Sequence, residues 1–215
     1  MPRWQRRVAS NVNGHDGTVR VTGPLAPLIG ALIGALGGAV YWLAAQIWPS
    51  SVAMILSMAA TALLSTEMRS ALPATRLDVL SRVLCLLIKY NALMALSAAK
   101  LPFTVPANVP PALIMICGYS ASFALAVSVT ATRPEKSMPV SGGALALALL
   151  IGFAPAGLLG IPGLIGLTAA IVAALSIIAV LKLKRAGGSK DVLDMTQLLT
   201  EVLFYLGALA TWRYV

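Results

Sequence analysis

Charged residues are scarce in this chain, at 11% of 215 residues, whereas soluble globular domains are about a quarter charged. Hydrophobic residues make up 59% of the sequence, and apolar runs of about 20 residues recur along its whole length. No soluble domain of useful size fits between these runs. The composition therefore excludes a soluble enzyme and predicts an all-α polytopic membrane protein.

Residues that carry common catalytic chemistry are equally rare. The one histidine, His15, lies in a polar N-terminal stretch, and the two cysteines, Cys85 and Cys117, lie in separate apolar runs. There is no Walker A loop, HExxH motif, paired CxxC or Ser/His/Asp arrangement. These absences argue against histidine acid–base catalysis and a nucleotide-binding fold, and they predict that both cysteines are small buried hydrophobes.

The net charge of +9 does not indicate a nucleic-acid partner, because the basic residues are spread over several segments between apolar runs. The N-terminal tail and the gaps after the second, fourth and sixth runs are basic, whereas the alternate gaps contain only Lys100. This alternation predicts about seven transmembrane helices with a cytoplasmic N-terminus. We expect the protein in the cell inner membrane. We expect a cytoplasmic tail over residues 1–24 and a single integral-membrane domain over residues 25–215.

Prolines in the gaps separate the predicted spans. The Gly/Pro-rich stretch Gly152–Gly163 predicts a tight turn between the fifth and sixth spans. The seven predicted spans are Leu25–Ile47, Val52–Leu64, Val83–Ala99, Ala112–Thr130, Gly142–Leu159, Gly163–Leu183 and Val192–Thr211.

Three glycines, Gly30, Gly34 and Gly38, recur every four residues in the first span. This spacing gives one smooth helix face that a neighbouring helix can approach closely. The pattern does not separate packing within the chain from dimerisation, so a homo-oligomer stays open.

Acidic residues number only seven, and three of them fall within the C-terminal stretch Lys184–Glu201. On a helix that starts near Lys190, Asp194, Gln197 and Glu201 share a face about 60° wide. Such a stripe could hold a hydrated divalent cation or a hydroxylated ligand. Asp191 and Asp194 could equally be solvated first-turn acids favoured by the helix dipole. Glu201, about two turns deeper, predicts a functional or a buried, paired role.

Other polar residues allow two interpretations each. Lys89 lies about two turns into the third apolar run, where it could snorkel or pair with Glu201, as a salt bridge or as a substrate contact. Arg69, Arg76 and Arg133 could bind phosphates, or they could serve only as topology signals.

Three places in the sequence resemble the cobalamin-5′-phosphate synthase family (adenosylcobinamide-GDP ribazoletransferase). They are GPLAPLIGALIGALGGAVYWL (Gly23–Leu43), the run from Cys117 through TRPEK (Thr132–Lys136), and GGSKDVLDMTQLLTE (Gly187–Glu201). The last place is similar to a family motif in which a glycine-rich turn leads into a helix with a late Thr-Glu. The residues on that pattern are Asp191, Gln197, Thr200 and Glu201.

The sequence departs from the family at three points. The family's acidic loop motif after the second span is absent, since Leu64–Thr66 leads almost directly into MRSALPATRLDVL. Ser120 stands about where the family has an arginine in the fourth span. Lys190 and Asp194 replace small glycines of the C-terminal motif.

The resemblance implies a membrane transferase of cobalamin biosynthesis. A ribazole hydroxyl of α-ribazole or its 5′-phosphate attacks the phosphate next to the cobinamide of adenosylcobinamide-GDP, and GMP leaves. Such chemistry implies Mg²⁺ and cationic side chains on the phosphates. The alternatives are an inactive family member that acts as a membrane scaffold, and a small-solute transporter that uses Lys89 and Glu201.

The resemblance gives each candidate residue a role in this reaction. The expected catalytic residues are Asp191, Asp194 and Glu201, with Mg²⁺ on Asp191 and Asp194. The expected substrate and phosphate contacts are Arg69, Arg76, Arg133, Lys190, Gln197 and Lys89.

Overall fold

The computed structural model describes residues 25–67, 76–98, 110–132, 141–184 and 189–211, and these residues form seven α-helices and no strand. The all-α prediction with seven helices is confirmed. In chain order the helices are α1 (Ala26–Ala44), α2 (Ser50–Glu67), α3 (Arg76–Ala98), α4 (Pro111–Ala131), α5 (Gly142–Gly157), α6 (Ile161–Lys184) and α7 (Ser189–Ala210).

Three of these helices are long and apolar enough to cross a membrane, over Ala26–Ala44, Pro111–Ala131 and Ile161–Leu181. Shorter apolar stretches occupy Ser50–Ser65, Gly142–Gly157 and Met195–Ala210. These lengths fit a multi-pass membrane protein. The cytoplasmic position of the N-terminus stays a prediction.

Helix α4 lies at the centre of the bundle, where it packs against α1, α3, α5, α6 and α7. Of its most apolar 18 residues 72% are buried, against 39% for α1 and 22% for α6. Much of its buried surface consists of small residues between Cys117 and Ala126. Small side chains let neighbouring backbones approach on several sides, which is how helices associate inside a membrane.

The glycine face of α1 packs within the chain. A Cβ atom added to Gly34 would lie 2.7 Å from the Cα atom of Ile116 on α4, and one added to Gly30 would lie 2.7 Å from the carbonyl oxygen of Tyr119. The third glycine of the face, Gly38, meets Ala112 in the same way. Of the two interpretations of this face, packing within the chain is therefore the one that the structure shows.

Two predicted boundaries are wrong. Helix α3 begins at Arg76 rather than Val83, because residues 77–82 contain no glycine or proline and continue the helix beyond the apolar run. The predicted turn over Gly152–Gly163 is also too long. Helix α5 continues through Pro155 to Gly157, and the connection turns at Gly160, whose φ of 65° suits glycine.

Candidate functional site

Lys89 of α3 and Glu201 of α7 form an ion pair inside the bundle. The Nζ atom of Lys89 lies 2.6 Å from the Oε1 atom of Glu201, and the two side chains are 3% and 4% exposed. Lys89 therefore pairs rather than snorkels. Each residue sits near the middle of its helix, so the contact joins α3 to α7 at depth.

Two tyrosines complete the surroundings of this ion pair. Lys89 Nζ donates a hydrogen bond of 2.7 Å to the hydroxyl of Tyr119 on α4, and Nζ lies 4.3 Å from the centre of that ring. The hydroxyl of Tyr205, one turn beyond Glu201 on α7, donates to Glu201 Oε1 over 3.1 Å. Both tyrosines are buried. Lys89, Glu201, Tyr119 and Tyr205 together are called the buried polar network below.

The network compensates the cost of placing two charges in the bundle interior. Removing one ion from water costs several kcal/mol, and a pair recovers this only with short contacts and further hydrogen bonds. The ammonium of Lys89 has the carboxylate and a hydroxyl as acceptors, and the carboxylate of Glu201 accepts from the ammonium and a second hydroxyl. The network therefore fixes α3, α4 and α7 relative to one another.

Helix α4 lies close to the network because Gly118 has no side chain. A Cβ atom added to Gly118 would lie 2.5 Å from the Cε1, Cζ and hydroxyl oxygen atoms of Tyr205. The ring of Tyr205 thus rests directly on the α4 backbone. This close approach places the Tyr205 hydroxyl at Glu201, while the next residue of α4, Tyr119, reaches Lys89.

The predicted polar stripe of α7 faces the bundle at its described positions. Gln197 is 3% exposed, and Thr196 and Thr200 are fully buried beside it. The hydroxyl of Thr200 donates to the carbonyl oxygen atoms of Thr196 and Gln197, at 2.7 and 3.1 Å, so its hydrogen bonds stay within α7. Gln197 and Glu201 therefore share the buried side of the helix, as the spacing predicted.

The remaining predicted site residues lie partly outside the described part of the chain. Arg69 and Arg133 lie outside the described residues altogether. Arg76 is the first residue of α3, and Lys190, Asp191 and Asp194 belong to the first turns of α7, but their side chains lie outside the described part. Their predicted roles in binding phosphate and metal stay predictions.

Glu201 lies deeper in α7 than Asp191 and Asp194, and its carboxylate is already paired. Asp194 precedes Glu201 by seven positions, which is about 10 Å along a helix. Moreover, Oε1 of Glu201 already accepts from Lys89 and Tyr205. Within the described ranges, no three His, Cys, Asp or Glu side chains could hold a metal ion together. The predicted ligands of Mg²⁺, Asp191 and Asp194, lie outside this set, because their side chains are not in the described part of the chain.

Sequence reasoning missed both tyrosines of the buried polar network. Tyr205 carried a signal, because residues four apart on a helix share a face with each other, but Tyr119 had none in the sequence. Ser120 is fully buried, and its hydroxyl has no hydrogen-bond partner in the part of the chain that the structure describes.

Comparison with known proteins finds similarity in the N-terminal region. Residues 11–68, which include α1 and α2, match the family model of cobalamin-5-phosphate synthase. An adenosylcobinamide-GDP ribazoletransferase from Leptothrix cholodnii is 63% identical over 35 residues, which are 16% of this chain and 13% of that relative. No solved structure matches. The resemblance predicted from the sequence is confirmed over this region.

Proposed function

We propose that this chain, a partial match to the cobalamin-5-phosphate synthase family, is a membrane transferase of cobalamin biosynthesis. It would join adenosylcobinamide-GDP to α-ribazole or its 5′-phosphate in the cell inner membrane. The observation that carries the proposal is the family match over residues 11–68, supported by the 63% identity to a ribazoletransferase over 35 residues. The bundle of apolar helices suits a large amphipathic corrinoid substrate.

In the proposed reaction, a ribazole hydroxyl attacks the phosphorus atom next to the cobinamide. A new P–O bond forms to the ribazole oxygen, the bond between that phosphorus and the bridging oxygen breaks, and GMP leaves with that oxygen. The hydroxyl proton passes to a base or to solvent. Positive side chains close to the diphosphate would stabilise the charge that builds up on its oxygen atoms.

The ion pair supports the proposal that the residues expected to contact substrate lie at the same level, at the first turns of α3 and α7. Lys89 follows the first residue of α3 by 13 positions, and Glu201 follows the first residue of α7 by 12, which is about 20 and 18 Å of helix. In the predicted topology both helices start at the cytoplasmic face. A contact at equal distances from both starts then brings Arg76 level with Lys190 and Asp191.

We propose two different kinds of role for these residues. Lys190, Asp191, Asp194 and Arg76 would contact the substrates at the cytoplasmic face, together with Arg69 and Arg133 from the adjoining segments. Lys89 and Glu201, each buried and bonded to the other, would act as positioning residues that hold α3 and α7 level.

The test is GMP release by the full chain in lipid vesicles, given adenosylcobinamide-GDP, α-ribazole 5′-phosphate and Mg²⁺. We expect release that stops with EDTA and falls at least about tenfold in Asp191→Asn, because the proposed site would lose a carboxylate ligand of Mg²⁺. The matched control is Gln46→Ala, at an exposed position after α1, which should release GMP at the rate of the unaltered chain. No release from folded protein would contradict the proposal.

A second candidate function is an inactive family member that acts as a membrane scaffold. One observation favours it, which is that the acidic loop motif of the family is absent from the sequence. Corrinoid binding without GMP release would support this candidate. The transporter alternative stays a prediction, and the two charges on which it relies, Lys89 and Glu201, are bonded to each other.

A further inference from the structure

Helix α3 carries two strongly polar side chains at nearly the same depth. Lys89 and Asn91 are two residues apart, which is about 3 Å along the helix and about 200° around it. Lys89 faces the bundle and is paired, whereas Asn91 points away from the bundle and is exposed. The third predicted span covers Val83–Ala99. With the middle of that span at the middle of the bilayer, Asn91 lies within the hydrocarbon region, which is about 30 Å thick.

The side-chain amide of Asn91 has more hydrogen-bonding groups than the bundle satisfies. An asparagine amide offers two N–H donors and one carbonyl acceptor. The described residues give it one bond, 2.8 Å from Nδ2 to the carbonyl oxygen of Leu87. Exposed hydroxyls on α6 differ, since Thr168 and Ser176 each donate their only hydrogen to a carbonyl of their own helix. An amide that faces lipid tails with groups unpaired costs free energy.

Asn91 belongs to a continuous exposed face of α3. The face contains Leu80, Leu84, Leu87, Asn91 and Ala98, which fall within about 60° of one another around the helix axis. Three leucines of the face are 66%, 56% and 54% exposed in chain order. These five residues are called the outer α3 face below.

We propose that the outer α3 face binds a second copy of this chain, with the Asn91 amides of the two copies bonded to each other. An amide is both donor and acceptor, so it complements itself across a two-fold axis, where each residue meets its own counterpart. Lipid tails provide neither group. Asparagine side chains that bond across helices promote association in membranes, while the leucines provide packing contacts around them. The other surface suited to helix association, the glycine face of α1, is already covered by α4.

The first test is energy transfer between fluorescently labelled full chains in vesicles, measured as lipid is added. We expect a dimer that dissociates on dilution. Asn91→Leu, which keeps the size and removes the amide, should weaken it roughly 5- to 30-fold, the value of an interhelical hydrogen bond of about 1–2 kcal/mol. Asn91→Gln retains the amide and should recover part of the loss. Thr168→Val, at an exposed position on α6, is the matched control and should leave dimerisation unchanged.

The second test locates the contact by disulfide formation. Cys117 is buried, so in a Cys85→Ala background an introduced exposed thiol is the reactive one among the described positions. Leu87→Cys should form dimers on oxidation, whereas Leu150→Cys, 70% exposed on α5, should not. Two results would overturn the proposal: a chain that stays monomeric at every lipid ratio in the first test, and equal crosslinking at both positions in the second. Either result would mean that lipid covers the outer α3 face.

Discussion

Breaking the ion pair between Lys89 and Glu201 should destabilise the bundle strongly. Their charged atoms are 2.6 Å apart and the side chains are 3% and 4% exposed, so water can replace neither partner. Removing one member of such a pair costs about 3–5 kcal/mol, mainly because the other charge stays buried alone. We therefore expect losses of that size in Lys89→Met and in Glu201→Gln, measured by unfolding in mixed detergent micelles.

The double substitution separates this explanation from a loss of packing. Lys89→Met together with Glu201→Gln removes both charges, so the loss should be far smaller than the sum of the two single losses. Thr168→Val, on the exposed side of α6, should change stability by less than about 0.5 kcal/mol. A double variant that loses the full sum would refute the reasoning, because the two charges would then act independently.

Two further predictions concern the helix that carries Tyr119. Gly118→Ala should destabilise the protein by about 1–3 kcal/mol, because the added methyl group meets the Tyr205 ring at 2.5 Å. The control in thermal unfolding is Gly142→Ala, where an added Cβ atom would have nothing within 4 Å. An equal effect of both substitutions would contradict the expected clash. Tyr119→Phe removes the 2.7 Å acceptor of Lys89 and should cost about 1.5–3 kcal/mol, the range for bonds to charged groups. Unchanged stability in the same assay would mean that this bond contributes nothing.

The helices could be predicted from the sequence because apolar runs and prolines mark them directly. Their ends could not, because hydropathy locates the hydrocarbon layer rather than the last hydrogen-bonded turn. Helix α3 begins at Arg76, well before its apolar run. Within α5, Pro155 does not end the helix, since a chain inside a membrane must keep its backbone groups paired.

The candidate site was predictable only in part. A lysine and a glutamate deep in apolar runs suggest each other as partners, because each needs compensation, and the structure joins them. The role of Tyr119 depends on how α4 is rotated against α3 and α7, and that rotation is set by Gly118 and the small residues around it. No local pattern in the sequence encodes such a contact between three helices.

The central claim is that this chain joins a corrinoid nucleotide to ribazole, and the mass of the corrinoid product tests it most directly. Adenosylcobinamide-GDP and α-ribazole 5′-phosphate are incubated with the reconstituted chain, and the corrinoids are analysed by mass spectrometry. If the proposed transfer takes place, the corrinoid product has lost GMP and gained the ribazole phosphate, with one product molecule for each GMP released. Unchanged adenosylcobinamide-GDP, recovered with protein that is folded and embedded in lipid, would contradict it.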